Sequence, residues 1–224
     1  MNKKGATQIE MILAFLLFLF AVMAAMYFFA PAYKTKIADS TVNYAYSAIK
    51  DKLVTDLDIY YVRSPKPDGS QSNVAQIEIN KNSIVEDYHG EDLHGMREGE
   101  KICFDRQEEL TLIYASEDID PNVLTAGCPS NAISAKISSS ISEKVISELK
   151  AKNLNNTDYN QLKQILNIPA GRDFTFNLRF ENGEEIGISR NIPRGLNVFS
   201  KSERLKVIRI DGRREFADLI VRIW

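Results

Sequence analysis

The amino-acid sequence predicts an α+β fold, in which a long N-terminal helix packs on an antiparallel sheet that carries a helical insertion. Three patterns support this prediction. No charged residue occurs in 11–32, apolar residues recur at helical spacing over 38–53, and apolar and polar residues alternate in the C-terminal region. Because the helix precedes the strands instead of alternating with them, the fold class is α+β rather than α/β.

The first half of the predicted helix matches a bilayer in length. The uncharged run 11–32 holds about 20 residues, which span the hydrocarbon core at a rise of about 1.5 Å per residue. Glu10 stands at the edge of this run, where an ionised carboxylate is costly unless it finds a partner. Two lysines precede the run and two follow it. The distribution of positive charge therefore gives no orientation in the membrane.

The second half of the helix is predicted to be amphipathic. Its apolar residues are spaced four, three, four and four positions apart, so they form one stripe along a helix. These residues are Ala38, Val42, Ala45, Ile49 and Leu53. After Thr55 the period shifts toward two, and the first strands are predicted at 57–63 and 74–79. The polar stretch 86–100, which contains three glycines, predicts a loop.

A helical insertion is predicted at 129–168. Its apolar residues recur every fourth position, which favours a helix: Ile133, Ile137, Ile141, Val145 and Leu149. A second short helix is predicted at 158–166, with Thr157 as its N-cap.

The C-terminal region gives the clearest β pattern. Apolar residues alternate with polar ones from Phe174 to Phe180, and Asn182 and Gly183 then form a strong hairpin signal. A second hairpin around Gly212 leads into a strand that ends at Trp224, a terminus expected to be fixed in a sheet.

Composition limits the functions that the chain could have. Its 224 residues carry a net charge of −2 at pH 7, and the mean hydropathy is −0.23 despite the apolar run. The part beyond that run is therefore polar and long enough for a domain with a core. No strongly basic field is present, so nucleic acid is not a predicted partner.

Few residues suggest catalysis or metal binding. His89, His94, Cys103 and Cys128 are every histidine and cysteine of the chain, and their spacing suits a zinc site poorly. The acidic run 116–122 lacks the glycine and glutamate positions of an EF-hand loop. No nucleophile-elbow, phosphate-loop or zinc-protease motif occurs. The sequence predicts no enzyme, no metal and no cofactor.

One modification signal is present. Asn155, Asn156 and Thr157 form an N-glycosylation sequon that is predicted to lie on a loop, so Asn155 is a candidate acceptor.

The N-terminus resembles the class III signal of type IV pilin-like proteins, in its archaeal style. The resemblance rests on Lys3, Lys4, Gly5, Ala6 and Glu10 and covers about the first 35 residues. It implies a leader at 1–5 that a prepilin peptidase removes after Gly5. It further implies a transmembrane and assembly helix at 6–32 and a head outside the cytoplasm at 33–224. The open alternative is an uncleaved signal anchor.

The resemblance also implies a function. Ala6 becomes the mature N-terminus, and Glu10 faces the amine of a neighbouring subunit inside a helix bundle. The chain would then be a structural subunit of a cell-surface filament or a pilus-related machine, with the membrane and other pilin-like subunits as its partners. The alternative function is that of a non-polymerising single-pass membrane protein whose exported head binds a ligand or a protein.

An exported head also bears on the two cysteines. Outside the cytoplasm a disulfide between Cys103 and Cys128 is permitted. The alternative is a pair of buried free thiols.

Overall fold

The computed structural model describes residues 3–64, 72–106 and 110–224. For 3–9 and 28–39 it describes the backbone but not the side chains. Three α-helices, thirteen strands and one 3-10 helix, Pro121–Val123, occur in these ranges. The α-helices are α1 (Lys3–Leu53), α2 (Glu148–Asn155) and α3 (Tyr159–Ile165). The strands are β1 (Val54–Arg63), β2 (Val74–Glu78), β3 (Ser83–Glu86), β4 (Gly95–Glu98), β5 (Lys101–Asp105), β6 (Thr111–Ala115), β7 (Thr125–Ala126), β8 (Ile133–Ser134), β9 (Lys136–Ser147), β10 (Phe174–Phe180), β11 (Glu185–Ile188), β12 (Phe199–Ile208) and β13 (Arg214–Ile223).

The predicted fold class is wrong. Beyond α1, strand is the main regular structure and is arranged in two sheets, so a single antiparallel sheet with a helical insertion does not describe it. Two segments account for the difference. The predicted helical insertion contributes a long strand to the first sheet, and the predicted loop at 86–100 contains β4 of the second sheet.

The part of the predicted helical insertion that carries Ile133 to Leu149 is instead β8, β9 and the start of α2. A spacing of four residues keeps side chains on one face of a strand as well as on one face of a helix, so the pattern did not distinguish the two. Ile141 lies opposite Ile59 of β1 in an antiparallel ladder that runs almost the whole length of β9. The second predicted helix is α3, but its N-cap is Asp158, and Thr157 donates a hydrogen bond to the carbonyl of Asn153.

The large sheet contains eight strands in the order β11-β10-β13-β12-β9-β1-β6-β3. In the described pairing its neighbours are antiparallel, except for β12 and β9, which are parallel through Val207–Ile146 and Ile208–Ser147. The small sheet has the order β7-β4-β5-β2-β8.

α1 lies on one half of the large sheet and connects directly to β1 at Val54. Four residues of its predicted stripe are buried at 5% exposure or less, namely Val42, Ala45, Ile49 and Leu53. The fifth, Ala38, lies outside the described side chains. Together with α2 and α3, this half of α1 covers the alternating apolar residues of β10 and β13, which include Phe176, Leu178, Leu219 and Val221.

The small sheet packs on the other half of the large sheet. Ile102 and Phe104 of β5 contact a buried cluster that contains Val62 of β1 and Ile113 of β6. The described strands therefore bury their apolar residues in one cluster under the helices, one between the sheets, and a third, smaller cluster that includes Leu57 and Val145.

Candidate functional site

The described apolar part of α1 is exposed. Over Glu10–Tyr27 the mean hydropathy is 2.2 and none of the segment is buried. Its large side chains are exposed around the helix: Met11, near the start, is 71% exposed, and Tyr27, at the end, is 79% exposed. A helix that is apolar all round is expected inside a membrane or a large core. By length and composition this segment is able to cross a membrane or to act as a signal sequence.

The predicted processing and assembly residues lie on the same helix. The backbone of α1 includes Gly5, Ala6 and Glu10, while the side chain of Ala6 lies outside the described part. Glu10 is exposed. A new N-terminus at Ala6 would stand about 6 Å from Glu10 along the axis, since four residues make about one helical turn.

A polar cluster fixes α1 to β12, and sequence reasoning did not find it. The Tyr46 hydroxyl donates to Glu203 at 2.8 Å, and the Lys50 ammonium donates to the other oxygen of Glu203 at 2.9 Å. Lys201 lies 4.6 Å from the centre of the Tyr46 ring and donates to Asn43 at 2.9 Å. Burial, followed by the hydrogen bond to Glu203, raises the pKa of Tyr46 above its ordinary value. Lys50 lowers the pKa of Glu203.

The two cysteines lie at disulfide-bonding distance. Cys103 is fully buried in β5, Cys128 follows β7, and their Cα atoms are 5.7 Å apart. This separation is typical of disulfides. A disulfide between them would leave no thiolate for a zinc site with His89 and His94, which are both exposed.

The acidic run after β6 is used in local structure. Asp118 lies 3.6 Å from the ammonium of Lys150. Asp120 caps the 3-10 helix by accepting from the backbone N–H of Asn122 at 2.8 Å. Within the described residues, no group of three or more His, Cys, Asp or Glu side chains is placed to hold a metal ion.

The candidate glycosylation residue is accessible. Asn155 is exposed, although it is the last residue of α2 rather than part of a loop. The hydroxyl of Thr157 already donates to the carbonyl of Asn153 at 3.0 Å. Modification of Asn155 stays a prediction.

A buried ionic cluster centres on Arg209, which sequence reasoning also missed. Its guanidinium lies 3.3 Å from Glu148, 2.6 Å from Glu184 and 3.1 Å from Glu215. The same group lies over the ring of Phe180 at 4.2 Å. Arg209 lowers the pKa of Glu184 by hydrogen bonding. The three glutamates come from α2, a hairpin turn and β13, so no local sequence pattern indicates the cluster.

Two described clefts have the same volume. One, of about 640 Å³, lies between β2 and the start of β9 and is lined by Gln76, Ile77, Glu78, Lys101, Ser134, Ala135, Lys136 and Ile137. Another, also about 640 Å³, lies beside α3 and is lined by Asn160, Lys163, Gln164, Asn167, Ile168, Ala170 and Gly171. Neither set of described lining residues contains a His or Cys that could serve as base or nucleophile.

Comparison with known proteins gives no relative. No protein-family model, no curated protein and no solved structure matches the chain.

Proposed function

We propose that the chain is a structural subunit of a type IV pilus-like filament or pilus-related machine. It is held in the membrane by α1 before assembly. The observation that carries the proposal is the apolar segment Glu10–Tyr27, none of which is buried in the described part of the structure. The residues Lys3 to Gly5 before it give the order of basic leader, glycine and retained helix that a prepilin peptidase recognises in pilin-like proteins.

Assembly would bury this segment against other copies or related subunits. Small residues let helices approach closely inside a membrane, and the segment carries four alanines: Ala14, Ala21, Ala24 and Ala25. Glu10 would pair with the amine of Ala6 on a neighbour, because a carboxylate in an apolar bundle needs a cation.

The head would lie outside the cytoplasm. The distance between Cys103 and Cys128 supports this side of the membrane, since disulfides persist in oxidising compartments. In this arrangement the leader 1–5 stays cytoplasmic until the peptidase removes it.

A second function is a non-polymerising membrane protein whose exported head binds a ligand or a protein. It is favoured by the size of the two-sheet head, with its open cleft of about 640 Å³ between β2 and β9. Self-association of the apolar helix distinguishes the two functions, because an anchor alone does not require it.

The mature N-terminus tests the proposal. Mass spectrometry of protein from its native membrane should show a chain that starts at Ala6. Gly5→Leu should block processing, while Asn2→Leu, in the same leader but away from the cut, should be processed normally. An intact leader on the wild-type protein in its native membrane would remove the main support for a pilin-like subunit.

A further inference from the structure

The connection between β11 and β12 has an unusual surface. All of its residues, 189–198, are exposed. It contains no acidic residue, two arginines, Arg190 and Arg194, and three aliphatic side chains that are open to solvent. The exposed aliphatic residues are Ile192 at 36%, Leu196 at 52% and Val198 at 38%. Exposed aliphatic groups together with basic residues are the combination that amphipathic segments use to bind a lipid surface.

This connection lies at the end of the head from which the apolar half of α1 leaves. Along α1, Asn43 contacts Lys201, whereas Tyr46, one turn further into the head, contacts Glu203. β12 therefore runs in the same direction as α1. The residues before Phe199 must lie on the side of Asn43 that faces the apolar segment.

The distances along the two elements agree. From the end of the apolar run at Ala32 to Asn43, the helix rises about 16 Å at about 1.5 Å per residue. From Lys201 back to Leu196, an extended chain covers up to about 16 Å at about 3.3 Å per residue. Leu196 is thus able to reach the level at which α1 leaves the hydrocarbon.

The charges at this end are complementary to anionic headgroups. Arg190 is held in place by the ring of Tyr159, at 3.8 Å from its centre, and by Asp173 at 3.9 Å. Arg172 lies beside Asp173 in the connection to β10, so a third arginine adds to Arg190 and Arg194. At the opposite end, the hairpin after β10 carries Glu181, Glu184 and Glu185, each of which is paired with an arginine. Basic residues beside an anionic leaflet strengthen binding to it.

From this juxtaposition we propose that 189–198 docks on the surface of an anionic bilayer while α1 is inserted. Leu196, with Ile192 and Val198, enters the boundary between headgroups and acyl chains, and Arg194 binds headgroup phosphates. The head is thereby held down beside its own anchor before assembly. The inference rests on the proposed membrane insertion of α1.

The test uses the full-length protein in vesicles. An environment-sensitive fluorophore is attached to Leu196→Cys or, as a matched control at the far end of β12, to Arg213→Cys. The vesicles are phosphatidylcholine alone or an equimolar mixture of phosphatidylcholine and phosphatidylglycerol, each with lipids brominated on the acyl chain as quenchers. Resistance of the protein to alkaline carbonate extraction reports insertion of α1 separately.

The label at 196 should be quenched in the anionic vesicles and much less in phosphatidylcholine, while the label at 213 should not be quenched in either. High salt should weaken the quenching. Adding Arg194→Gln should lower the association of the head with the bilayer about fivefold, as expected for one basic residue beside an anionic surface.

An inserted protein whose label at 196 stays unquenched in anionic vesicles would overturn the inference and leave the proposed function intact. A fluorescence change of the label at 196 that depends on protein density rather than on lipid charge would also overturn the inference. It would assign the segment to a contact between subunits. A chain that carbonate extracts from both vesicles would overturn insertion and, with it, the docking of 189–198.

Discussion

Tyr46 of α1 and Glu203 of β12 form a hydrogen bond of 2.8 Å between residues 157 positions apart in the sequence. Tyr46 is 3% exposed, and the oxygen of Glu203 that it does not use accepts from Lys50. The helix that continues toward the membrane is thus joined to the sheet by a directional bond as well as by apolar packing. A force or a rotation applied to α1 is therefore transmitted to β12 through the pair Tyr46 and Glu203.

Tyr46→Phe should destabilise the head by about 1 kcal/mol, because it removes this hydrogen bond while keeping the ring. Tyr44→Phe, at an exposed position of the same helix, is the control and should change the free energy of unfolding by less than about 0.5 kcal/mol. Since the folded state raises the pKa of Tyr46, its contribution is fully present below pH 10.0 and declines at higher pH. Chemical denaturation of both variants at neutral and alkaline pH measures this, and equal stability of the two variants would contradict it.

Arg209→Met should destabilise the protein by about 2 kcal/mol, since it removes the cation shared by three glutamates and leaves buried Glu148 with Lys152 alone. Arg213→Met is the matched control. Arg213 lies in the adjacent turn, is 69% exposed, and pairs with Asp211. Thermal unfolding of the control should coincide with that of the wild type. If the two arginine variants unfold at the same temperature, the Arg209 cluster is not a source of stability.

Asp58→Asn should lower stability at neutral pH but not in acid. Lys81 donates to Asp58 at 2.7 Å and lowers the pKa of that carboxyl below its ordinary 3.8. A lowered pKa contributes stability above the ordinary value, and this contribution is lost as the pH falls through the folded value. The difference from the wild type should be about 1 kcal/mol at pH 7 and should shrink below about pH 4. Denaturation across this range should find exposed Asp56→Asn unchanged; a constant difference for Asp58→Asn would refute the linkage.

The pair Cys103 and Cys128 should be oxidised in exported protein. Intact mass should rise by two hydrogens on reduction, and thiols that react with an alkylating agent before reduction would count against the bond. With a sequence separation of 25 between the cysteines, the closed loop should contribute roughly 3 kcal/mol. Reductant should lower the unfolding temperature of the wild type, but not that of the Cys103→Ser, Cys128→Ser double variant.

Sequence patterns predicted correctly those helices and turns that depend on residues close together in the sequence. The signal at Asn182 and Gly183 gave a hairpin, and Gly183 has the positive φ of 87° that such a turn requires. The apolar segment of α1 and the buried stripe that follows it were also predicted from the spacing of apolar residues. In contrast, β9 depends on pairing with β1, which lies far away in sequence. Its β-branched residues, such as Ile141 and Val145, favour a strand, but the fourfold spacing allowed a helix equally well.

The residues of the candidate site also differ in whether neighbouring sequence could predict them. The roles predicted for Gly5 and Glu10 rest on neighbouring residues in the sequence, and both stay predictions. The Arg209 cluster and the pairing of Tyr46 with Glu203 join residues from several elements, so only the folded arrangement brings them together. The two-sheet head could not be predicted because strand order is fixed by long-range pairing rather than by local periodicity.

Glu10→Gln should impair assembly while leaving the head intact. The substitution keeps the size of the side chain and removes the charge. An ionised carboxylate in hydrocarbon costs about 3 kcal/mol on insertion scales, so its partner in a packed bundle must be a cation. In an isolated subunit the exposed Glu10 can stay at the interface with water. We therefore expect normal expression, insertion, cleavage and head stability, with fewer crosslinks between subunits and a lower filament yield.

Glu91→Gln, at an exposed position of the head, is the control for the loss of one carboxylate and should assemble like the wild type. The readouts separate three outcomes. Loss of crosslinks in Glu10→Gln alone supports pairing of Glu10 with the amine of a neighbour. Equal assembly of Glu10→Gln and wild type would remove that role from Glu10. If the wild type itself shows no self-association in its native membrane, the apolar helix is an anchor, and the function of the protein lies in what its head binds.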